Sequence, residues 1–115
     1  IVEDEPLVAE DLAAGLRREG FAILGPAATP AEALALIEVA ACDAAVLDIA
    51  IAEGTSERVA ERLRAAGRPF VVVSAYAAGQ RPAVFDGAPF VPKPADPAVV
   101  AAALRDAMAR QRTTS

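Results

Sequence analysis

Five residues of this chain have the types and spacing to do phosphoryl chemistry together. They are Glu3 and Asp4 after the apolar pair Ile1-Val2, Asp48 near the end of AAVLDIA, Ser74 after FVVV, and Lys93 between two prolines. Each follows an apolar run. A buried charge without a partner is costly, so Asp48 in an otherwise apolar stretch calls for a reason. Three carboxylates brought together cannot all stay ionised without a compensating cation. A hard divalent ion such as Mg²⁺ fits, because it takes oxygen ligands, usually one or two carboxylates with waters and phosphate oxygens. A carboxylate beside such an ion can attack phosphorus and become an aspartyl phosphate. Metal, lysine and hydroxyl would then share the charge on the phosphoryl oxygens.

The elements between these residues must bring them to one place. Ile1-Val2 reads as the end of a strand whose earlier residues lie outside this sequence. Pro6 opens a helix with Val8, Leu12 and Leu16 on one face and Gly20 as its stop. Phe21–Leu24 reads as a strand closed by Gly25-Pro26. TPAE at 29–32 is a capping box, with Thr29 as N-cap, Pro30 at the first helical position and Glu32 at the third. Its helix is expected to bury Ala33, Leu34, Ile37 and Ala41. Ala44–Leu47 is apolar on both faces, as in a parallel strand covered by helices. AEGTS reads as a loop, and Ser56 as the cap of a helix burying Val59, Ala60 and Leu63. Phe70–Val73 is another strand. Residues 77–88, with Gly79, Pro82 and Gly87, are expected to form little or no stable helix. Phe90-Val91 is a short strand. Asp96 caps a last helix with Val99, Val100, Ala103, Leu104 and Met108 inward, and 111–115 are expected to fray.

Strands and helices alternate throughout residues 1–115, which predicts one α/β domain: a five-stranded parallel sheet with helices on both faces. In such sheets ligands sit outside the carboxyl ends of the strands. Glu3, Asp4, Asp48, Ser74 and Lys93 all fall at those ends.

Composition narrows the classes. Of the 115 residues 55% are hydrophobic and only 4% aromatic, so the core must be aliphatic and rich in alanine. A chain of this size can bury roughly 65% of its unfolded surface, enough for a core without disulfides. Net charge is −5 and there is no basic stripe, so no nucleic-acid partner is expected. Histidine is absent, which excludes His-dependent zinc sites and Ser-His-Asp or Cys-His catalysis. Cys42 is the only cysteine, expected to be an inert thiol in a reduced cytoplasmic setting. No apolar run approaches the roughly 20 residues of a membrane span, and no signal peptide is visible.

IVEDE, VLDIA, VVVSAY and FVPKP, in this order and spacing, resemble the response-regulator receiver domain of two-component signalling, over essentially the whole chain. The resemblance implies a CheY-like (flavodoxin-like) doubly wound sheet of strand order 2-1-3-4-5. It implies that Asp48 is the phosphoacceptor and that Mg²⁺ (or Mn²⁺) is held by Asp4 directly, Glu3 through water, Asp48, and the Ala50 backbone carbonyl. Lys93 would pair with the phosphoryl group, with a cis Lys93-Pro94 bond. Ser74 would bind a phosphoryl oxygen and move on activation, with Phe90 changing rotamer alongside it. The partners implied are a histidine kinase or histidine phosphotransfer domain and a downstream protein. The exposed side of the first helix, Glu10, Ala14 and Arg17, would meet the kinase's histidine domain. The broken 77–88 segment and AEGTS, in place of a Pro-Asp-Gly loop, resemble a mainly alphaproteobacterial subgroup whose fourth helix is short or absent.

Blander readings stand beside these. Glu3-Asp4-Glu5 are also acids at a helix N-terminus, which favours negative charge. Asp48 could be a structural cap, Lys93 a surface lysine, Phe90 plain core packing, and the arginines 58, 62, 105, 110 and 112 solvated helix faces. Two other functions compete: a pseudo-receiver that binds partners without phosphorylation, and a hydrolase working through an aspartyl intermediate. The hydrolase needs a second acid two residues after the nucleophile, where this chain has Ala50. No glycine-rich phosphate loop follows Val2, which excludes a nucleotide-binding domain.

Overall fold

The computed structural model describes residues 1–39, 41–75 and 81–114, with side chains as far as Gln111. The elements run α1 (Pro6–Arg18), α2 (Pro30–Val39), β1 (Ala45–Leu47), β2 (Ala50–Ile51), β3 (Gly54–Thr55), α3 (Glu57–Ala65), β4 (Phe70–Ser74), a 3₁₀ turn (Ala83–Phe85), β5 (Phe90–Pro92) and α4 (Pro97–Thr114).

β1, β4 and β5 form a parallel ladder in that order, with Leu47 opposite Val72 and Ser74 opposite Pro92. Val2 extends the sheet by single parallel bridges to Leu47 on one side and Ala27 on the other. From one edge the order is therefore Ala27, Val2, β1, β4, β5, the 2-1-3-4-5 arrangement with its first two members reduced to bridges. The strand expected at 21–24 does not form. The Val2 segment hydrogen-bonds instead to Ala27, through Glu3 N–H to Ala27 O at 2.9 Å and Ala27 N–H to Ile1 O at 2.9 Å. A cavity of about 500 Å³ lies here, lined by Phe21, Ile23, Leu24, Ala44 and Ala45 among others.

The alternation of side chains along each strand splits the core in two. Leu47, Phe70, Val72 and the partly buried Phe90 pack under α2 and α3 with Val59, Leu63 and Phe85. Val46, Val71, Val73 and Val91 pack under α1 and α4 with Leu12, Leu16, Val100 and Leu104. Each fully buried Leu or Val contributes roughly 1.5–3 kcal/mol, so these two layers position the strand ends.

Helix phase differs from the expected one in places. α1 buries Ala9, Leu12, Ala13, Gly15 and Leu16, while Val8 is exposed. Alanine and glycine, not a large residue, form the upper part of that face, so the branched side chain misleads. Val99 is likewise exposed, as α4 turns Val100, Ala101, Leu104 and Ala107 inward. Ala41, read as buried, is exposed. The expected caps at 29–32 and 96 are present. Glu32 N–H donates to Thr29 Oγ1 at 3.1 Å, and Ala98 N–H to the Asp96 carboxylate at 2.9 Å. Asp96 O also accepts the N–H groups of Val99 and Val100. The helical backbone of α4 continues through 111–114, where fraying was expected, and Gln111 Nε2 donates to Gly67 O at 2.7 Å.

Two local features depart from the reading of 50–56. AEGTS is a two-residue hairpin, with Ala50 opposite Thr55, Ile51 opposite Gly54, and Glu53 at φ 65° in its turn. Ser56 makes no side-chain cap on α3; its hydroxyl turns inward to the Asp48 carbonyl. Of the segment expected to lack a stable helix, 77–80 lie outside the described residues. Residues 81–88 hold only the single 3₁₀ turn, whose Phe85 is fully buried.

Candidate functional site

Glu3, Asp4, Asp48 and Lys93 meet at the carboxyl edge of the sheet. Val2 N–H donates to Val46 O at 2.8 Å and Asp48 N–H to Val2 O at 3.0 Å, which places Glu3-Asp4 beside the end of β1. Lys93 follows β5 directly, and its N–H donates to Ser74 O at 3.1 Å. Prolines on both sides restrict its backbone, and the Lys93-Pro94 bond is cis.

Lys93 Nζ lies 2.8 Å from Asp48 Oδ2 and 2.8 Å from Glu3 Oε1. Glu3 and Asp48 are buried and Lys93 is half-buried. The other Glu3 oxygen, Oε2, accepts Glu5 N–H at 3.1 Å, which fixes the carboxylate. Glu3, Asp4 and Asp48 each offer an oxygen within 4.8 Å of the others. One ammonium thus faces three carboxylates, and the cluster carries an excess of negative charge that suits a hard cation.

Burial pushes the Asp48 carboxyl above its ordinary range, and the neighbouring Glu3 adds to this. The hydrogen bond and charge of Lys93 oppose it without cancelling it. For Lys93, burial works against the charged form. The hydrogen bonds to Asp48 and Glu3 outweigh it, and the ammonium is held above its ordinary range. Lys93 is therefore charged at neutral pH.

The remaining expected residues line the same edge at different distances. Ser74 ends β4 and is buried. Phe90 opens β5 opposite Val72, two register steps from Pro92, the partner of Ser74. Ala50 is exposed at the start of the hairpin. Its pair with Thr55 alternates with the hydrogen-bonded Ile49–Ser56 pair, where Ser56 N–H donates to Ile49 O at 2.9 Å. It is therefore a non-hydrogen-bonded pair, whose N–H and C=O point away from the partner strand. The Ala50 carbonyl is thereby left to other donors or a cation. On α1, Glu10 and Arg17 are exposed and Ala14 is half-buried.

Two residues at this edge escaped the sequence reading. Ser56, entirely buried, donates its hydroxyl to Asp48 O at 2.5 Å. A serine just before a helix reads as a cap, and nothing in the local pattern shows that it faces inward. Arg81 stacks on Phe90, with its guanidinium carbon 5.0 Å from the ring centroid. It sits between an undescribed stretch and a proline, with no periodicity to place it.

A parallel α/β sheet thus carries acids, a buried serine and a lysine at its carboxyl edge. The sequence profile described as response regulator receiver domain matches residues 1–105. The chain belongs to the response regulator receiver domain family, CheY-like domains of two-component signalling whose acidic pocket binds Mg²⁺.

Among relatives, the phyllosphere-induced regulator PhyR of Methylorubrum extorquens is 32% identical over 98% of this chain and 44% of its own length. The chain thus spans less than half of that curated relative. SdrG from Sphingomonas melonis Fr1 is 36% identical, with a TM-score of 0.76 over 90% of this chain and 92% of that one. A response regulator from Burkholderia pseudomallei, solved with a phosphorylated aspartic acid, calcium ion and citrate, is 27% identical. Its TM-score is 0.78 over 98% of this chain and 69% of that one. Among the described residues no helix is long and apolar enough to cross a membrane.

Proposed function

We propose that Asp48 takes a phosphoryl group from a phosphohistidine on a histidine kinase or histidine phosphotransfer domain, in the cytoplasm and with Mg²⁺ or Mn²⁺. The observation that carries this reading is the cluster itself: three carboxylates within 4.8 Å of one another and a lysine 2.8 Å from Asp48. The donor set is all oxygen and carries excess negative charge, as Mg²⁺ requires. Asp4 and Asp48, with Glu3 through water and the Ala50 carbonyl, would hold it. When bound, the ion would neutralise charge on the phosphoryl oxygens.

The chain's own residues do the rest. An Asp48 oxygen attacks phosphorus, the P–N bond breaks, and its electron pair leaves with the imidazole. Lys93 donates to a phosphoryl oxygen in place of part of its bond to Asp48, so its charge stays in the site throughout. The Ser74 hydroxyl binds a second phosphoryl oxygen. Water later attacks phosphorus, releasing inorganic phosphate and restoring the carboxylate. With Ala50 where a general acid would stand, the chain catalyses its own modification and not turnover of outside substrates. Ser74 and Phe90 transmit the state to a downstream protein through a two-state surface. The phosphorylated aspartate recorded in the Burkholderia relative supports this chemistry.

One feature favours a second reading, a phosphorylation-independent interaction module. Lys93 already bridges Asp48 and Glu3, so the acids are partly neutralised by the protein itself. Intact mass after incubation with acetyl phosphate and Mg²⁺ separates the two. One added phosphoryl group in the wild type, absent in Asp48→Asn and after EDTA, supports the phosphoacceptor. No adduct under any condition, with no Mg²⁺ binding by titration, supports the module.

A further inference from the structure

Phe90 is the ring that moves in the proposed switch, and something must hold it beforehand. The structure supplies a holder. The Arg81 guanidinium carbon lies 5.0 Å from the Phe90 ring centroid, within cation–π range. Arg81 Nη1 is buried and has no hydrogen-bond partner, the single such side-chain nitrogen or oxygen among the described residues. Phe90 is half-buried against the core under α2 and α3, and Arg81 covers it.

These two facts oppose each other. Stacking on the ring favours the observed pose, while a buried N–H without an acceptor disfavours it, since an unsatisfied charged donor carries its full desolvation cost. The attraction outweighs the unmet need in the observed pose, and the net hold is smaller than the attraction alone. Moving Arg81 off the ring returns Nη1 to water or to an acceptor, and it uncovers Phe90.

We infer that Arg81 is a latch: its guanidinium holds Phe90 in the unmodified position, and its release accompanies the change of state at Asp48. This rests on the proposed phosphoacceptor role for its second half only. The first half, Arg81 holding Phe90, stands or falls in the unmodified protein. Arg81 touches neither the acids nor Lys93 in any contact described, so it acts through Phe90 as a positioning residue.

Cation–π attraction at such a site corresponds to roughly a 2- to 30-fold bias in a two-state equilibrium. By linkage, removing a latch that favours the unmodified state raises affinity for anything that favours the other state by the same factor.

The test uses the whole chain with ¹³C-labelled phenylalanine. In the unmodified wild type, Phe90 is expected to show one dominant χ1 rotamer. Arg81→Ala and Arg81→Gln are expected to show averaged rotamers, and Arg81→Lys, which keeps a cation, an intermediate population. Gln fills similar space without charge, so a merely structural role would leave its spectrum like the wild type. An unchanged rotamer distribution in Arg81→Gln overturns the latch.

The second arm measures affinity for beryllofluoride with Mg²⁺, a stand-in for the phosphoryl group. Arg81→Gln is expected to bind more tightly than wild type, by up to roughly 30-fold, and equal affinity overturns the coupling. Failure of both proteins to bind beryllofluoride overturns the phosphoacceptor reading instead, and the rotamer result then decides the latch alone.

Discussion

The Ser56 hydroxyl donates to the Asp48 main-chain carbonyl at 2.5 Å, with Ser56 wholly shielded from solvent. The bond ties the start of α3 to the residue that carries the candidate site. With Ser56 N–H on Ile49 O, it closes the base of the hairpin. Asp48 is thus held from three sides: Val2 through its N–H, Ser56 through its carbonyl, and Lys93 through its carboxylate.

Ser56→Ala removes the donor and leaves the carbonyl buried. A buried acceptor stripped of its partner costs about 1–3 kcal/mol. The expected outcome in urea unfolding is a lower midpoint with an unchanged slope. Loss of stability below about 0.5 kcal/mol would mean that water or a shift of α3 replaces the bond.

Gly15 of α1 lies against Pro97 at the start of α4 so closely that a Cβ on Gly15 would come within 2.2 Å of Pro97 Cβ. Gly15 is helical and buried, and alanine is normally the better helix residue by about 1 kcal/mol. Here the clash reverses that preference, because Pro97 cannot swing away. Gly15→Ala is expected to destabilise by about 1–3 kcal/mol, as overpacking does, and Gly15→Ala with Pro97→Gly, which removes the clashing Cβ and Cγ, to recover part of the loss. Thermal unfolding of the wild type and both variants checks this. A single variant at or above wild-type stability would show that α1 and α4 separate without cost.

Much of this fold was legible because parallel strands covered on both faces are continuous apolar runs, as in Ala44–Leu47 and Phe70–Val73. The caps at Thr29 and Asp96 were legible from local chemistry alone. Helix phase was less so. Val8 and Val99 look like core residues, yet Ala9, Gly15 and Ala101 take the buried positions, since closely packed helices leave room for small side chains. At the site, the placement of Glu3, Asp4, Asp48 and Lys93 on one edge follows from strand ends alone. The inward turn of Ser56 and the stacking of Arg81 on Phe90 depend on tertiary burial, which a local pattern does not encode. The 21–24 run shows the limit of hydrophobicity as a signal: the Leu24 carbonyl accepts from the Ile1 amino group at 3.1 Å, yet one such bond does not make a ladder.

Asp48 makes metal-free stability depend on pH. Its folded carboxyl sits above the ordinary range, chiefly from burial. The folded state therefore binds the proton more tightly than the unfolded chain, whose carboxyl titrates near about 3.9. Stability is highest below that value and falls as pH rises through the folded pKa. Relative to Asp48→Asn, the wild type in EDTA is expected to lose stability as pH climbs from about 4 through the raised titration of the folded Asp48 carboxyl. Parallel urea midpoints for the two proteins across that range would contradict it. Mg²⁺ favours the ionised carboxylate and is expected to restore the difference.

Lys93 is the single cation bonded to both Glu3 and Asp48 among the described residues. Lys93→Ala leaves two buried carboxylates facing each other beside Asp4. Removing one partner of a buried pair costs up to about 3–5 kcal/mol. The half-buried position of Lys93 and the option of protonating Asp48 reduce this, so about 1–3 kcal/mol is expected at neutral pH. The missing charge also leaves the acids hungrier for a cation. Mg²⁺ is therefore expected to raise the melting temperature of Lys93→Ala more than that of the wild type, while phosphorylation by acetyl phosphate slows. Lys93→Arg separates charge from geometry: it keeps the cation but spreads it over a planar fork that cannot reproduce a point contact to both carboxylates. It is expected to recover stability and not the phosphorylation rate. Equal Mg²⁺ shifts in wild type and Lys93→Ala would show that the ion and the lysine do not share the same carboxylates.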